Sequence, residues 1–200
     1  EKELKHLLAY VLGSTQKVLC FQYKGELWED LWLEVYSDAN FAAPCSEGGF
    51  GLFLVGSKGT FMPLEWKSRK QRLTATSSAE SELMEMADAF EETQRMMGLL
   101  ECCRTSKIDA KGFVDNDAMR LAAARGSSTK LGHMRKHAEV KLMFLQQCGI
   151  PLAGVETTEN LADIFTKVVS AQRLMYHMAC FDGNVRVKNE HGSIVGSMHE

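Results

Sequence analysis

Leu31-Trp-Leu-Glu-Val-Tyr-Ser-Asp38-Ala-Asn40 reads as a strand that runs into an acid. Leu31, Leu33 and Val35 alternate with Trp32, Glu34 and Tyr36, the period of a pleated sheet. A second stretch repeats the arrangement: Phe113-Val114 leads into Asp115-Asn116-Asp117 and then into a helical pattern. If the two strands lie parallel and adjacent, Asp38 and Asp115 meet at their carboxyl ends, where open α/β sheets place ligands. Aspartate also ends strands and caps helices for structural reasons alone, so neither residue defines a site by itself.

Working outward, Phe50-Gly-Leu-Phe-Leu-Val55 is nearly all apolar, as a strand buried on both faces should be. Gly56-Ser-Lys-Gly59 is a hairpin turn, and Thr60 to Trp66 forms the next strand. Pro63 assigns that strand to an edge. These three strands make an antiparallel meander. The period then changes, and one long helix is expected from Ser77 to about Cys103. Its start carries Ser77-Ser-Ala-Glu80, a capping box in which Glu80 reaches back to the cap's backbone N–H. Its methionines, including Met84, Met86, Met96 and Met97, read as core filler. A strand at about 108–114 completes a parallel crossover. A short helix from Asp117 to Ala124, a helix at about 134–147, a strand near 150–156 and a last helix from about Asn160 to Met178 follow. Upstream, residues 2–12 have leucines at helical spacing, with Gly13 ending the helix, and Val18 to Tyr23 looks like a short strand before a turn at Lys24-Gly25-Glu26. This helix and strand are expected as an appendage packed on the main domain. The expected architecture is α/β: a mixed five-stranded sheet, its first three strands antiparallel, with helices on both faces.

Composition is that of an ordinary globular chain: 200 residues, 45% hydrophobic and 24% charged, enough to bury a sizeable core. A net charge of -3 neither marks nor excludes a nucleic-acid binder, because local patches and bound cations can hold phosphate on an acidic protein. The cysteines at 20, 45, 102, 103, 148 and 180 include no C-x-x-C pair. They are expected to be reduced, mostly buried thiols of an intracellular protein. No stretch is apolar and long enough to span a membrane. The chain begins at Glu1 rather than Met, as a segment of a longer polypeptide would.

Four acids stand out: Asp38, Asp115, a glutamate at the start of the long helix, and Asp163 in Asn160-Leu-Ala-Asp-Ile-Phe-Thr-Lys167. Carboxylates gathered from separate elements repel one another unless a cation sits among them. An all-oxygen set suits Mg²⁺ or Mn²⁺ rather than zinc. Two such ions about 4 Å apart can activate water and stabilise the leaving oxygen of a phosphodiester. Glu80 and Glu82 lie two apart and so point to different sides of a helix. Both stay open on physical grounds, with Glu82 favoured because Glu80 already has a capping task. Asp163 is equally readable as a first-turn acid favoured by the helix dipole.

Tyr36-Ser-Asp-Ala39, Ser77-Ser-Ala-Glu-Ser-Glu-Leu-Met84, Val114-Asp-Asn116 and Leu161-Ala-Asp-Ile-Phe-Thr-Lys167 occur in that order, with Trp66-Lys-Ser-Arg-Lys-Gln71 between the first two. The series resembles the ribonuclease H domain of copia-type retrotransposon Pol polyproteins. The resemblance covers about 30–175. It implies a ribonuclease H-like domain at 29–178, a connection from reverse transcriptase at 1–28, and a loosely ordered tail at 179–200. It implies Asp38, Glu82, Asp115 and Asp163 as catalytic metal ligands for Mg²⁺ or Mn²⁺, in all two ions. The implied reaction is hydrolysis of RNA in RNA–DNA hybrids, with an upstream reverse transcriptase of the same polyprotein as partner. The implied location is intracellular, in a cytoplasmic particle or the nucleus. A catalytically silent nucleic-acid-binding or polymerase-assembly domain is the alternative. The sequence departs from the family at Asn40, often acidic there, at Cys45-Ser-Glu-Gly48, and at Val168-Val169, where Pro-Leu is common.

A hybrid must be gripped by its phosphates and distinguished by its 2′-hydroxyls. Two basic windows offer contacts, although such runs are often plain solvated surface. The first holds Lys67, Arg69, Lys70 and Arg72, followed by donors at Thr74, Thr76 and Ser77. The second holds Arg125, Lys130, His133, Arg135, Lys136 and His137. His137, in the family's Lys-His pair, suits helix entry or a phosphate contact better than proton transfer. Asn40 and Asn116, beside the two strand-end aspartates, complete the candidate substrate contacts.

Overall fold

The computed structural model describes residues 2–16, 21, 23–104, 106–126 and 136–181. The predicted strand at Val18–Tyr23, apart from Phe21 and Tyr23, and half of the second basic window (Lys130, His133 and Arg135) lie outside these residues, as does the region from 182 onward. In chain order the elements are α1 (Lys2–Gly13), β1 (Leu31–Asn40), β2 (Glu47–Gly56), β3 (Phe61–Lys70), α2 (Ser78–Arg104), β4 (Asp109–Val114), α3 (Asp117–Arg125), α4 (Lys136–Gln147), β5 (Leu152–Gly154), α5 (Asp163–Thr166) and α6 (Ala171–Phe181).

The sheet order is β3-β2-β1-β4-β5. β1 pairs antiparallel with β2 and parallel with β4, β2 pairs antiparallel with β3, and β4 pairs parallel with β5. The expected mixed sheet with an antiparallel meander is what forms. Pro63 sits on the edge strand, where its missing N–H costs no ladder bond to a further strand. Next to it the β2–β3 register slips between Leu52 and Phe53.

The alternation in β1 divides the core into two layers. Leu31, Leu33 and Val35 pack with Leu83, Met86 and Phe90 of α2, Met119 of α3 and Leu142 of α4. Tyr36 faces the other way, into a cluster with Phe53, Phe113, Leu161, Cys180 and Phe181. Helices therefore cover both faces. Buried Glu34 lies on the second face, where it accepts hydrogen bonds from Trp32 Nε1 at 3.0 Å and Tyr36 OH at 2.9 Å. Those same-face neighbours two residues away make a carboxylate tolerable inside the sheet.

Four expectations need correction. The single helix from Asn160 to Met178 is two pieces, α5 and α6, because Lys167 turns extended (φ -131°, ψ 151°) and the β-branched pair Val168-Val169 follows. α6 then continues to Phe181, and Cys180 and Phe181 are core residues rather than the start of a tail. α1 ends at Gly13 as expected, but Leu4, Leu7, Leu8 and Leu12 are each more than half exposed, so its apolar side does not pack on the described domain. Of the described cysteines only Cys180 is fully buried; Cys102 and Cys103 are exposed. Upstream of β1, buried Glu26 accepts from the backbone N–H groups of Lys58 and Thr60, clasping the β2–β3 hairpin. Among the described residues no helix is long and apolar enough to cross a membrane.

Candidate active site

The β1–β4 register runs from Trp32 opposite Asp109 to Tyr36 opposite Phe113. Carried two residues further, it sets Asp38 beside Asp115 at the carboxyl ends of both strands. Asp163, the first residue of α5, arrives from the second face of the sheet. α5 lies directly on the meander: a Cβ at Gly49 of β2 would sit 2.5 Å from Phe165 Cβ, so only glycine allows this approach. The Ser68 hydroxyl of β3 donates to the Phe165 carbonyl at 2.5 Å. Asp38, Asp115 and Asp163 each present a carboxylate oxygen within 4.8 Å of the others.

Asp38 and Asp163 are buried, at 3% and 0% exposure, and their oxygens are engaged. Lys167 Nζ lies 3.1 Å from Asp38 Oδ1 and 2.9 Å from Asp163 Oδ1. The Thr166 hydroxyl donates to Asp38 Oδ2, and Arg173 Nη2 donates to Asp163 Oδ2. Burial works against the Lys167 charge, but its bonds to Asp163 and Asp38 outweigh it and hold its pKa above the ordinary lysine value. Asp115 is held above the usual carboxylate range, first by burial and then by the Asp38 charge, with Lys167 opposing.

Glu82 stands beside the three aspartates rather than within their cluster. The Ser78 hydroxyl donates to its Oε1 at 3.0 Å, while Oε2 is buried with no hydrogen bond of good geometry. Burial raises its pKa, Ser78 and Asn116 oppose the rise, and the charges of Asp115 and Asp38 add to it. Glu80 points elsewhere. Its carboxylate accepts from the Thr76 N–H at 2.6 Å and from the Thr76 hydroxyl, and faces His137 Nε2 at 3.1 Å. Its own N–H donates to Ser77 Oγ at 3.2 Å. The capping box therefore closes on Thr76, one residue before the cap, because the Thr76 hydroxyl supplies a second donor there.

This set fits a divalent cation. Three carboxylates converge from separate elements, one of them, Asp115, and the neighbouring Glu82 are pushed toward protonation, and a buried Glu82 oxygen lacks a donor. Asp38, Asp115, Asp163 and the free oxygen of Glu82 are the groups that could hold it.

The candidate substrate residues are dispersed around this centre. Asn40 is exposed at the end of β1, and Asn116 caps α3 by accepting from Met119 N–H at 3.1 Å. Lys67 lies 3.6 Å from Glu92, and Arg69 pairs with Asp88, which also meets Lys141 at 2.9 Å. Lys70 and Arg72 project into solvent. Thr76 and Ser77 serve the start of α2, and His137 meets Glu80. Three residues without a role in the sequence reading are also at the centre: Thr166, Lys167 and Arg173. Only Lys167 had a local signal, its i,i+4 spacing from Asp163.

No protein-family model matches the chain. A retrovirus-related Pol polyprotein from transposon RE1 of Arabidopsis thaliana is 28% identical over 181 residues, covering 84% of this chain. The chain spans 11% of that polyprotein's length. Among solved structures, RNase H1 of the archaeon Halobacterium salinarum aligns with 66% of this chain and 92% of its own, at 13% identity and TM-score 0.43. Prototype foamy virus protease–reverse transcriptase aligns with 83% of this chain and 22% of its own, at 12% identity and TM-score 0.45. The chain is thus similar, along most of its length, to one part of a retrotransposon Pol polyprotein, and its acidic motifs lie around a five-stranded mixed sheet of order β3-β2-β1-β4-β5.

Proposed function

We propose that this domain hydrolyses the RNA strand of RNA–DNA hybrids, as an endonuclease, with divalent metal ions held by Asp38, Glu82, Asp115 and Asp163. The observation that carries the reading is the convergence of Asp38, Asp115 and Asp163 within 4.8 Å at the carboxyl ends of β1 and β4. Mg²⁺ or Mn²⁺ bound there, two ions in the full complement, would supply an activated water and neutralise the leaving oxygen, giving 3′-hydroxyl and 5′-phosphate ends. The chain's own part is to hold four carboxylates in a fixed geometry and to orient the substrate. Lys70 and Arg72, free of ion pairs among the described residues, provide phosphate contacts along the β3 edge, and Asn40 lies exposed beside Asp38. Lys67 and Arg69 are already paired with α2 acids and contribute less.

On this reading the domain works inside the cell behind a reverse transcriptase of the same polyprotein. The exposed leucine side of α1 is then the surface that meets the upstream part of that chain. The test is cleavage of a labelled RNA strand in a hybrid, with Mg²⁺ and then Mn²⁺, comparing wild type with Asp115→Asn. Duplex DNA and single-stranded RNA serve as controls. Hybrid-specific, metal-dependent cutting that falls by roughly 100-fold or more in the variant is expected. Full activity in Asp115→Asn would remove that residue from the centre.

A further inference from the structure

The two halves of the carboxylate centre are not equivalent. Every carboxylate oxygen of Asp38 and Asp163 already has a donor from the chain: Lys167 on one oxygen of each, Thr166 on the other oxygen of Asp38, Arg173 on the other oxygen of Asp163. On the other side, Asp115 and Glu82 form no ion pair among the described residues, and Glu82 Oε2 is buried without a donor. Charge makes the same division. Lys167 and Arg173 return two of the four negative charges, so one divalent cation completes neutrality. A second cation would leave an excess of positive charge in a half-buried site, which is costly unless a protein cation departs.

The two protein cations differ in how readily they can go. Arg173 has further ties, since the same Nη2 donates to the Thr157 carbonyl and its Nε lies 3.5 Å from His177 Nε2. The Lys167 side chain is 36% exposed and reaches the aspartates from the extended residue just past α5. A flexible four-carbon stem with solvent beside it can swing away without unmaking other contacts.

We propose that Lys167 is the resident counter-ion of the Asp38–Asp163 half, and that it limits the chain to one divalent ion in the absence of nucleic acid. This rests on the metal-centre reading above and deepens it: full loading requires the Lys167 ammonium to leave, and a phosphate backbone beside the site is the group of opposite charge able to draw it out. Lys167 is a positioning residue here, acting through the aspartates.

The experiment is Mn²⁺ titration of the chain without nucleic acid, reading free Mn²⁺ by electron paramagnetic resonance. Wild type, Lys167→Met, Lys167→Arg and Asp115→Asn are compared, with circular dichroism to verify folding. Wild type and Lys167→Arg should take one ion. Lys167→Met should take two, the second at least tenfold tighter than any second ion on wild type. Asp115→Asn should lose the wild-type ion. Two comparable ions on wild type, or a single ion on folded Lys167→Met, overturns the counter-ion role and leaves the metal centre standing. If Lys167→Met does not fold, the wild-type count decides between one and two. Absence of Mn²⁺ binding by both wild type and folded Lys167→Met overturns the metal centre itself and this inference with it.

Discussion

Asn160 donates from its side-chain amide to the Ser37 carbonyl at 3.0 Å, joining the loop before Asp163 to the strand residue before Asp38. The same side chain accepts from the Ala162 N–H at 3.1 Å. It is fully buried, so both contacts are made away from water. Replacing Asn160 with Ala would leave a buried carbonyl and a buried N–H unpaired, costing about 1–3 kcal/mol. Urea denaturation should register this loss, and Mn²⁺ affinity should fall with it, because Asp38 and Asp163 are no longer held in register.

Glu80 and Glu82 should separate cleanly. Glu82→Gln is expected to cut hybrid cleavage by roughly 100-fold while leaving the melting temperature unchanged or slightly raised, since a partly buried, donor-poor charge is removed. Glu80→Gln should retain cleavage and lose about 1 kcal/mol of stability, because it weakens the contacts to Thr76 and His137. Paired activity and melting measurements on both variants decide; the opposite pattern would exchange their roles.

Glu85 gives stability a pH dependence. It is wholly buried between Gly48 and the α2–β3 cleft, and neither oxygen meets a donor in hydrogen-bond geometry. Burial lifts its pKa above 4.5, with Arg69 opposing. A folded-state pKa above the unfolded value means this group's stabilisation is fully present below about pH 4.5 and is lost as pH rises through the folded pKa. Glu85→Gln removes that loss. The variant should match wild type near pH 4 and exceed it at pH 7 by on the order of 1 kcal/mol, or about 2–4 °C in melting temperature. A pH-independent difference in melting curves would contradict this.

Phe181 closes the second core layer. It is 4% exposed and meets Phe53 edge-on with ring centroids 5.1 Å apart. Phe181→Ala should cost about 3–5 kcal/mol, and ending the chain at 178 should cost more, as Cys180 leaves with it. Chemical denaturation of both forms, compared with removal of residues 182–200 alone, tests where the domain ends.

Much of the fold was legible because it depends on local pattern. Alternation from Leu31 to Tyr36, the apolar run at 50–55, Pro63 in an edge strand and the switch to helical period at Ser77 each specify an element through short-range chemistry. Asp38 and Asp115 were legible for the same reason: both lie at the carboxyl end of a strand, Asp38 within the last residues of β1 and Asp115 just past β4, and parallel neighbours bring such ends together. The capping box favoured Glu82 over Glu80 as the site acid without deciding between them.

The tertiary structure alone decided how the charges of the centre are satisfied. Asp38 meets Thr166 and Lys167 across 128 and 129 residues of chain, and no periodicity encodes a contact of that span. The break between α5 and α6 has a local part, the β-branched pair Val168-Val169, and a tertiary part: Phe165 packs against Gly49, and Lys167 reaches toward two buried aspartates. The sequence by itself determined which residues could form the sheet and which acids end its strands, through hydrophobic period and capping chemistry. Only the packed chain determined which cations stand among those acids, because a buried charge takes its partner from whatever the fold brings within a few ångströms.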